Sequence, residues 1–280
     1  KNAQLEKDIE KAKEYYLRSA EMGYPRAMMS YGKLIEDENM SLAMDYLRRS
    51  AETGYVYAMC KYSYYLENGI GCDKNEELAF EYCQKAADLN DSGALCTLGY
   101  YYENGIGCEK NLEKAIAYYQ QSSDAGSLRG MTNLGYCYEM GIGLEVNMQK
   151  AFEYYQISSQ SHYPRAVSNL GLFYELGKAG PIDEQKAFEC YQIAADSQYP
   201  PAQCNLACCY EDGIGTDIDL QKAFELYKAA AQRNSTRGLY NVARFLEYGI
   251  GCDVDYDLAF ENYQSASQMG YLDADIALGN

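Results

Sequence analysis

Six alanines, Ala79, Ala115, Ala151, Ala187, Ala223 and Ala259, stand 36 residues apart, and Ala43 extends the series backwards by the same step. A second column, Ala58, Ala94, Gly130, Ala166, Ala202, Gly238 and Ala274, keeps that period. A period of roughly 20–50 residues means a stack of supersecondary units, each too small to bury its own apolar face without its neighbours. The first unit is shorter, with steps of 31 from Ala12 to Ala43 and from Ala27 to Ala58, and it lacks the Gly-Ile-Gly corner that punctuates most of the others.

Each unit reads as two helices. In Asn111 to Gly126, the residues Leu112, Ala115, Ile116, Tyr119 and Ser123 keep the three-four spacing of one buried stripe; Leu128, Met131, Leu134, Gly135 and Tyr138 do the same in the next segment. Four residues before the first-column alanines stand Asp8, Asn39, Asn75, Asn111, Asn147, Asp183, Asp219 and Asp255. Their side chains can accept from the orphan N–H groups of a first turn, so eight helix starts are expected there. Eleven residues after the same alanines stand Gly23, Gly54, Asn90, Gly126, His162, Gln198, Asn234 and Gly270. A helix stops there in the left-handed conformation that glycine and asparagine adopt at least cost.

The corner glycines Gly69, Gly105, Gly141, Gly213 and Gly249 fall between two helices, without the strand that precedes a phosphate-binding loop. They are expected to supply positive φ at a helix stop, with the isoleucine tucked under the next helix. Cys72, Cys108 and Cys252 follow the corners and fit small buried hydrophobes. Neighbouring ones should lie roughly 8–10 Å apart, beyond the ~7 Å that a disulfide bridges between Cα atoms.

With these columns in place, LGYYYENGIGCEKNLEKAIAYYQQSSDAG resembles one unit of the Sel-one-like repeat family, kin of the tetratricopeptide repeats. The alanine, Asn-Leu-Gly, Tyr, Gly-x-Gly, Lys-Ala and terminal glycine of that pattern recur along essentially the whole chain. The resemblance implies an all-α fold, a right-handed α/α superhelix (solenoid) of about seven to eight antiparallel helix-turn-helix repeats. It implies one domain over residues 1–280 that holds other proteins together, usually without catalysis. Two departures stand out: tyrosine or phenylalanine replaces the tryptophan often seen in the second helix, and the chain begins and ends in mid-unit, as a segment of a longer protein would. The resemblance also admits a regulatory segment attached to a separate enzyme, and a weak hydrolase acting on cell-wall-type substrates.

Composition narrows the partners. With 24 basic and 41 acidic residues the net charge is −17, which repels nucleic acid and anionic membranes and favours protein partners. No run of about 18 apolar residues could span a bilayer, and KNAQLEKDIEKAKEYY lacks a signal-peptide core. Eleven cysteines, an odd number in a chain far larger than disulfide-stapled mini-proteins, point to reduced thiols and a cytoplasmic setting. Cys204, Cys208 and Cys209 form the densest thiol group, but a zinc site needs further ligands. The single histidine, His162, sits at a helix stop, which argues against a Ser-His or Cys-His arrangement. No catalytic residue, metal or cofactor is therefore assigned. Glu67, Glu103, Glu139, Glu175, Glu211 and Glu247 recur as a ladder, expected to pair with lysines such as Lys114, Lys150, Lys186 and Lys222.

In superhelices of paired helices the first helix of each unit lines the inner, concave groove, and its non-core stripe is the candidate binding surface. Three columns lie on it. The first is Arg26, Tyr57, Gly93, Arg129, Arg165, Pro201 and Arg237; the second is Ser30, Lys61, Thr97, Asn133, Asn169, Asn205 and Asn241. The third is Lys33, Tyr64, Tyr100, Tyr136, Leu172, Cys208 and Arg244. Tyr64, Tyr100 and Tyr136 are expected to form an apolar half-groove, since tyrosines bury much area at low entropic cost. Arg129, Arg165, Arg237 and Arg244, with Asn133, Asn169, Asn205 and Asn241, form the polar half, the asparagines either clamping a peptide backbone or bonding a neighbouring helix. A peptide with aromatic or aliphatic anchors and some acidic side chains would suit this groove. End-to-end association through uncapped terminal repeats is a further expectation.

Overall fold

The computed structural model describes residues 2–279, with side chains from Asp8 onward. Among these residues there are sixteen helices and no strand. They fall into two compact units, Lys1–Cys137 with Gly141–Glu145, and Tyr138–Met140 with Val146–Asn280. The first unit holds α1 (Asn2–Glu21), α2 (Pro25–Ile35), α3 (Met40–Glu52), α4 (Val56–Asn68), α5 (Glu76–Asp88), α6 (Ser92–Asn104), α7 (Leu112–Asp124) and most of α8 (Leu128–Met140). The second holds α9 (Met148–Ser159), α10 (Pro164–Leu176), α11 (Glu184–Asp196), α12 (Pro200–Asp212), α13 (Leu220–Ala231), α14 (Thr236–Tyr248), α15 (Tyr256–Gln268) and α16 (Leu272–Gly279). Even-numbered helices carry the second alanine column and are called A helices; odd-numbered ones carry the first column and are called B helices. The architecture is an all-α stack of helical hairpins, as the repeat period requires.

Seven of the eight expected caps are in place: Asn39, Asn75, Asn111, Asn147, Asp183, Asp219 and Asp255 each accept the N–H three residues on. Asp8 is a correction. It lies inside α1, which runs through it from Asn2, because the preceding residues are helix formers with no glycine corner to end the previous turn. All eight stop residues adopt positive φ, including the non-glycines Asn90, His162, Gln198 and Asn234 at 52–59°. Each corner combines two constraints. Gly105 ends α6 with φ of 73°, while at Gly107 an added Cβ would sit 2.1 Å from the Glu76 carbonyl oxygen, so only glycine lets the corner lie on α5. Ile214 and Ile250 pack against the buried clusters of the second unit, as the tucked isoleucine predicts.

The core is built from one B-helix tyrosine column. Tyr119, Tyr155, Tyr191 and Tyr227 are at most 1% exposed, and Gly99 is bare because a Cβ there would meet the Tyr119 ring at 2.7 Å. Lys114, Lys150, Lys186 and Lys222 lie over the rings of Tyr102, Tyr138, Tyr174 and Tyr210, 4.9–5.3 Å from their centroids. Where the tyrosine becomes Leu66 or Leu246, the lysine becomes Leu78 or Leu258. The pair is exchanged as a unit because an ammonium over an aryl face gains what it would lose over an alkyl one.

Candidate partner-binding face

The glutamate ladder lies at the base of the A-helix face; Lys178 pairs with Glu139 at 2.7 Å, but Lys114, Lys150, Lys186 and Lys222 lie over tyrosine rings and not on the ladder. Tyrosine hydroxyls bond the ladder. In the second unit Tyr155, Tyr191, Tyr227 and Tyr263 donate to Glu139, Glu175, Glu211 and Glu247 at 2.5–3.0 Å. In the first unit Tyr119 donates to Glu103 at 2.6 Å. At Glu67 the corresponding B-helix residue is Cys83, and the hydroxyl comes instead from Tyr101 of the following A helix at 3.0 Å. At Glu36 the B-helix residue is Leu47, and Tyr65 supplies the bond at 2.9 Å. Where the B-helix tyrosine is present, the A-helix position holds Cys137, Phe173, Cys209 or Phe245, none with a hydroxyl. One phenol thus serves each of these carboxylates from one side or the other, which removes the penalty of a half-buried acceptor without a donor. Burial and the adjacent carboxylates push these phenols well above the ordinary tyrosine range.

The A-helix face of the first unit is aromatic and open. Tyr64, Tyr100 and Tyr136 are 54%, 44% and 36% exposed, and Tyr57 is 68% exposed. Arg129 is exposed, with Nε 3.0 Å from Cys96 Sγ and a further bond to Thr97 Oγ1. Asn133 Nδ2 donates to the same sulfur at 3.3 Å. Three further members of the same columns, Arg26, Lys33 and Tyr57, are also exposed on this face. Column membership was the available signal; exposure, which decides between core and surface, was not.

In the second unit the same columns sink into a polar network. Arg237 donates to Asn205 Oδ1 at 2.7 Å and to Cys208 Sγ at 3.0 Å. Asn205 Nδ2 reaches Ser168 Oγ at 3.4 Å, and Cys208 lies 3.1 Å from the Tyr227 hydroxyl. Arg244 grips both oxygens of Glu211 at 2.7 and 2.8 Å and also bonds Asn241 Oδ1. Asn241 is buried and donates to the Arg237 carbonyl. Arg165 and Asn169 are half-buried; Asn169 bonds the Tyr155 hydroxyl, and the charge of Arg165 acts on Tyr155 and Tyr199. Asn133, Asn169 and Asn205 thus reach a neighbouring helix, as one of the two sequence alternatives has it, whereas Asn241 bonds within its own helix.

The corner thiols Cys72, Cys108 and Cys252 are half-buried rather than buried, each aimed at a helix-end carbonyl at 3.4–3.8 Å. All eleven cysteines are free thiols, and burial raises Cys60 and Cys209 to about 12 and Cys190 to about 11. Among the described residues no three His, Cys, Asp or Glu side chains converge as a metal site would require, and no helix is long and apolar enough to cross a membrane. The second unit also has a cleft of about 610 Å³ walled by Phe224, Leu239, Val242, Leu246 and Leu258, opened where Leu246, Leu258 and Asn262 replace bulkier ring and lysine partners.

A family model described as Sel1 repeat matches residues 3–24, 27–55, 56–91, 92–127, 128–162, 164–199, 200–235 and 236–271. A search of the curated proteins finds no match. Among solved structures the chain is similar to a Sel1 repeat protein from Oxalobacter formigenes, with 24% identity and a TM-score of 0.75 over 86% of this chain and 99% of that one. It is also similar to c5321, a protective antigen of uropathogenic Escherichia coli strains displaying an SLR fold, with 24% identity and a TM-score of 0.67 over 95% of this chain. This chain spans 58% of that antigen. Immunity protein Pa5087 from Pseudomonas aeruginosa shares 19% identity at a TM-score of 0.58, over 79% of this chain and 82% of that one. These likenesses are of fold.

Proposed function

The chain belongs to the Sel1 repeat family, whose members are generally protein-interaction scaffolds, and from that premise we propose that it is a non-enzymatic adaptor binding a protein partner through its A helices. Tyr64, Tyr100, Tyr136 and Arg129 make the principal contacts in this reading. The observation that carries it is the row of exposed phenol rings on the first unit, in a fold that buries the B-helix column Tyr119, Tyr155, Tyr191 and Tyr227 almost completely. Asn133, Arg165 and Asn169 border the contact. Asn205, Arg237, Asn241 and Arg244 act indirectly, by holding their helices in place.

The test is affinity capture with the parent chain and a Tyr64→Ala, Tyr100→Ala, Tyr136→Ala variant, with a thermal melt of each. Loss of the captured partners at an unchanged melting temperature supports the reading; an unchanged set of partners overturns it. Reversing Arg237 and Arg244 to glutamate is unsuitable as the probe, because those guanidinium groups are held inside the network and their reversal is expected to destabilise the fold itself.

A further inference from the structure

Resting on that reading of the A-helix face, we infer that its occupant on the first unit is a proline-rich, acidic segment held in the polyproline II conformation. The face presents two parallel columns across α2, α4, α6 and α8: Lys33, Tyr64, Tyr100 and Tyr136, and beside them Arg26, Tyr57, Gly93 and Arg129. Four exposed phenol rings therefore lie between cationic groups. Successive rings of one column sit on neighbouring packed helices, which places them roughly 8–10 Å apart. A polyproline II segment turns every three residues and advances ~9.3 Å per turn, so every third side chain meets the next ring. The other regular ligands miss that spacing: an α-helix repeats at about 5.4 Å, and same-face residues of a strand at about 6.6 Å. Rows of exposed aromatic rings suit pyrrolidine faces, and a chain already in this conformation loses little entropy on docking.

Charge supplies the second half of the occupant. The four A helices carry Arg26, Lys33, Lys61 and Arg129 against Glu67, Glu103 and Glu139, all three bound by tyrosine hydroxyls, and Lys61 is paired with Glu36 at the end of α2. The B helices α3, α5 and α7 carry eight carboxylates against four cations. In a protein of net charge −17 the tyrosine strip is thus the least acidic side of its unit, and Arg26, Lys33 and Arg129 complement glutamates or aspartates spaced between the prolines while the opposite side repels them.

The experiment measures binding of labelled peptides of roughly twelve residues, about 37 Å in this conformation, by fluorescence anisotropy on the whole chain. The probes are repeats of Pro-Pro-Glu, Pro-Pro-Gln and Gly-Gly-Glu. The Pro-Pro-Glu peptide is expected to bind at least about tenfold more tightly than Gly-Gly-Glu, and its advantage over Pro-Pro-Gln is expected to shrink as salt is raised. Combined Tyr64→Ala and Tyr100→Ala substitutions should weaken it about tenfold or more, with most of the affinity kept by Tyr→Phe at the same positions. Equal binding of Gly-Gly-Glu and Pro-Pro-Glu, indifference to the tyrosine substitutions, or no binding of Pro-Pro-Glu overturns the inference. Selection from a random peptide library on the same chain separates this failure from that of the underlying reading. Selected peptides with no proline period that still need the tyrosines would sink the polyproline inference alone. Selected peptides that ignore the tyrosines would sink both.

Discussion

The A-helix faces of the two units occupy the same columns and use them differently. Tyr64, Tyr100 and Tyr136 in the first unit project into solvent, whereas Leu172, Cys208 and Arg244 stand at the equivalent places in the second, and the last two are bound into a network with Tyr227, Glu211 and Arg237. A repeat column therefore fixes where a side chain points, while its chemistry and the donors below it decide whether it faces a partner or braces the stack. Both regions keep the same rule beneath that face, one tyrosine hydroxyl for each ladder carboxylate.

The largest expected effect comes from forcing one region's arrangement onto another. Tyr119→Cys should lower stability by about 3–4 kcal/mol, since a buried ring and the Glu103 hydrogen bond go together. Adding Cys137→Tyr, which copies the arrangement around Glu67 and Tyr101, should recover part of that loss in urea unfolding. No recovery would mean that the two columns are not exchangeable sources of the hydroxyl. Next, Arg244→Ala should cost about 2–3 kcal/mol by removing a two-pronged, partly buried pair from Glu211, read as a lowered denaturation midpoint.

Alkaline pH probes the buried phenols together. Their folded pKa values lie above the ordinary 10.0, so the unfolded chain releases these protons first. The stability they confer is complete below pH 10.0 and is lost as pH climbs from there through the raised folded values. Thermal melts between about pH 8 and 12 should be flat and then fall, and the fall should be shallower in a Tyr155→Phe, Tyr191→Phe variant. A smaller effect is expected for Tyr191→Phe alone, about 1–2 kcal/mol at neutral pH, from Glu175 left without its phenol.

Much of this fold was legible because glycine, asparagine and aspartate act locally. A cap or a left-handed stop needs only its own turn, so the columns at Asn111 and Gly126, and even His162 and Gln198, translate directly into backbone. Asp8 misled because a cap residue starts a helix only where the preceding chain cannot continue one. The lysine pairing of the ladder misled for a different reason. Spacing brings Lys114 and Tyr119 to the same hairpin, but depth decides which reaches Glu103, and the buried phenol does while the ammonium stays over the Tyr102 ring. The clue lay in two columns taken jointly: Leu47 and Cys83 coincide with Tyr65 and Tyr101, and Tyr119 onward coincides with residues lacking a hydroxyl. For the candidate site, the tyrosine row could be named from its period, whereas the burial of Asn241 and the internal bonds of Arg237 and Arg244 depend on what the adjacent helix offers.

Equilibrium urea unfolding of the Tyr64→Ala, Tyr100→Ala, Tyr136→Ala chain beside the single Arg244→Ala chain tests the contrast most directly. The tyrosine row is predicted to be dispensable for folding, with the triple variant within about 1.5 kcal/mol of the parent and Arg244→Ala clearly less stable than either. The reverse ranking, with the triple variant collapsing and Arg244→Ala unchanged, would show that the exposed rings brace the stack and are not held in reserve for a partner.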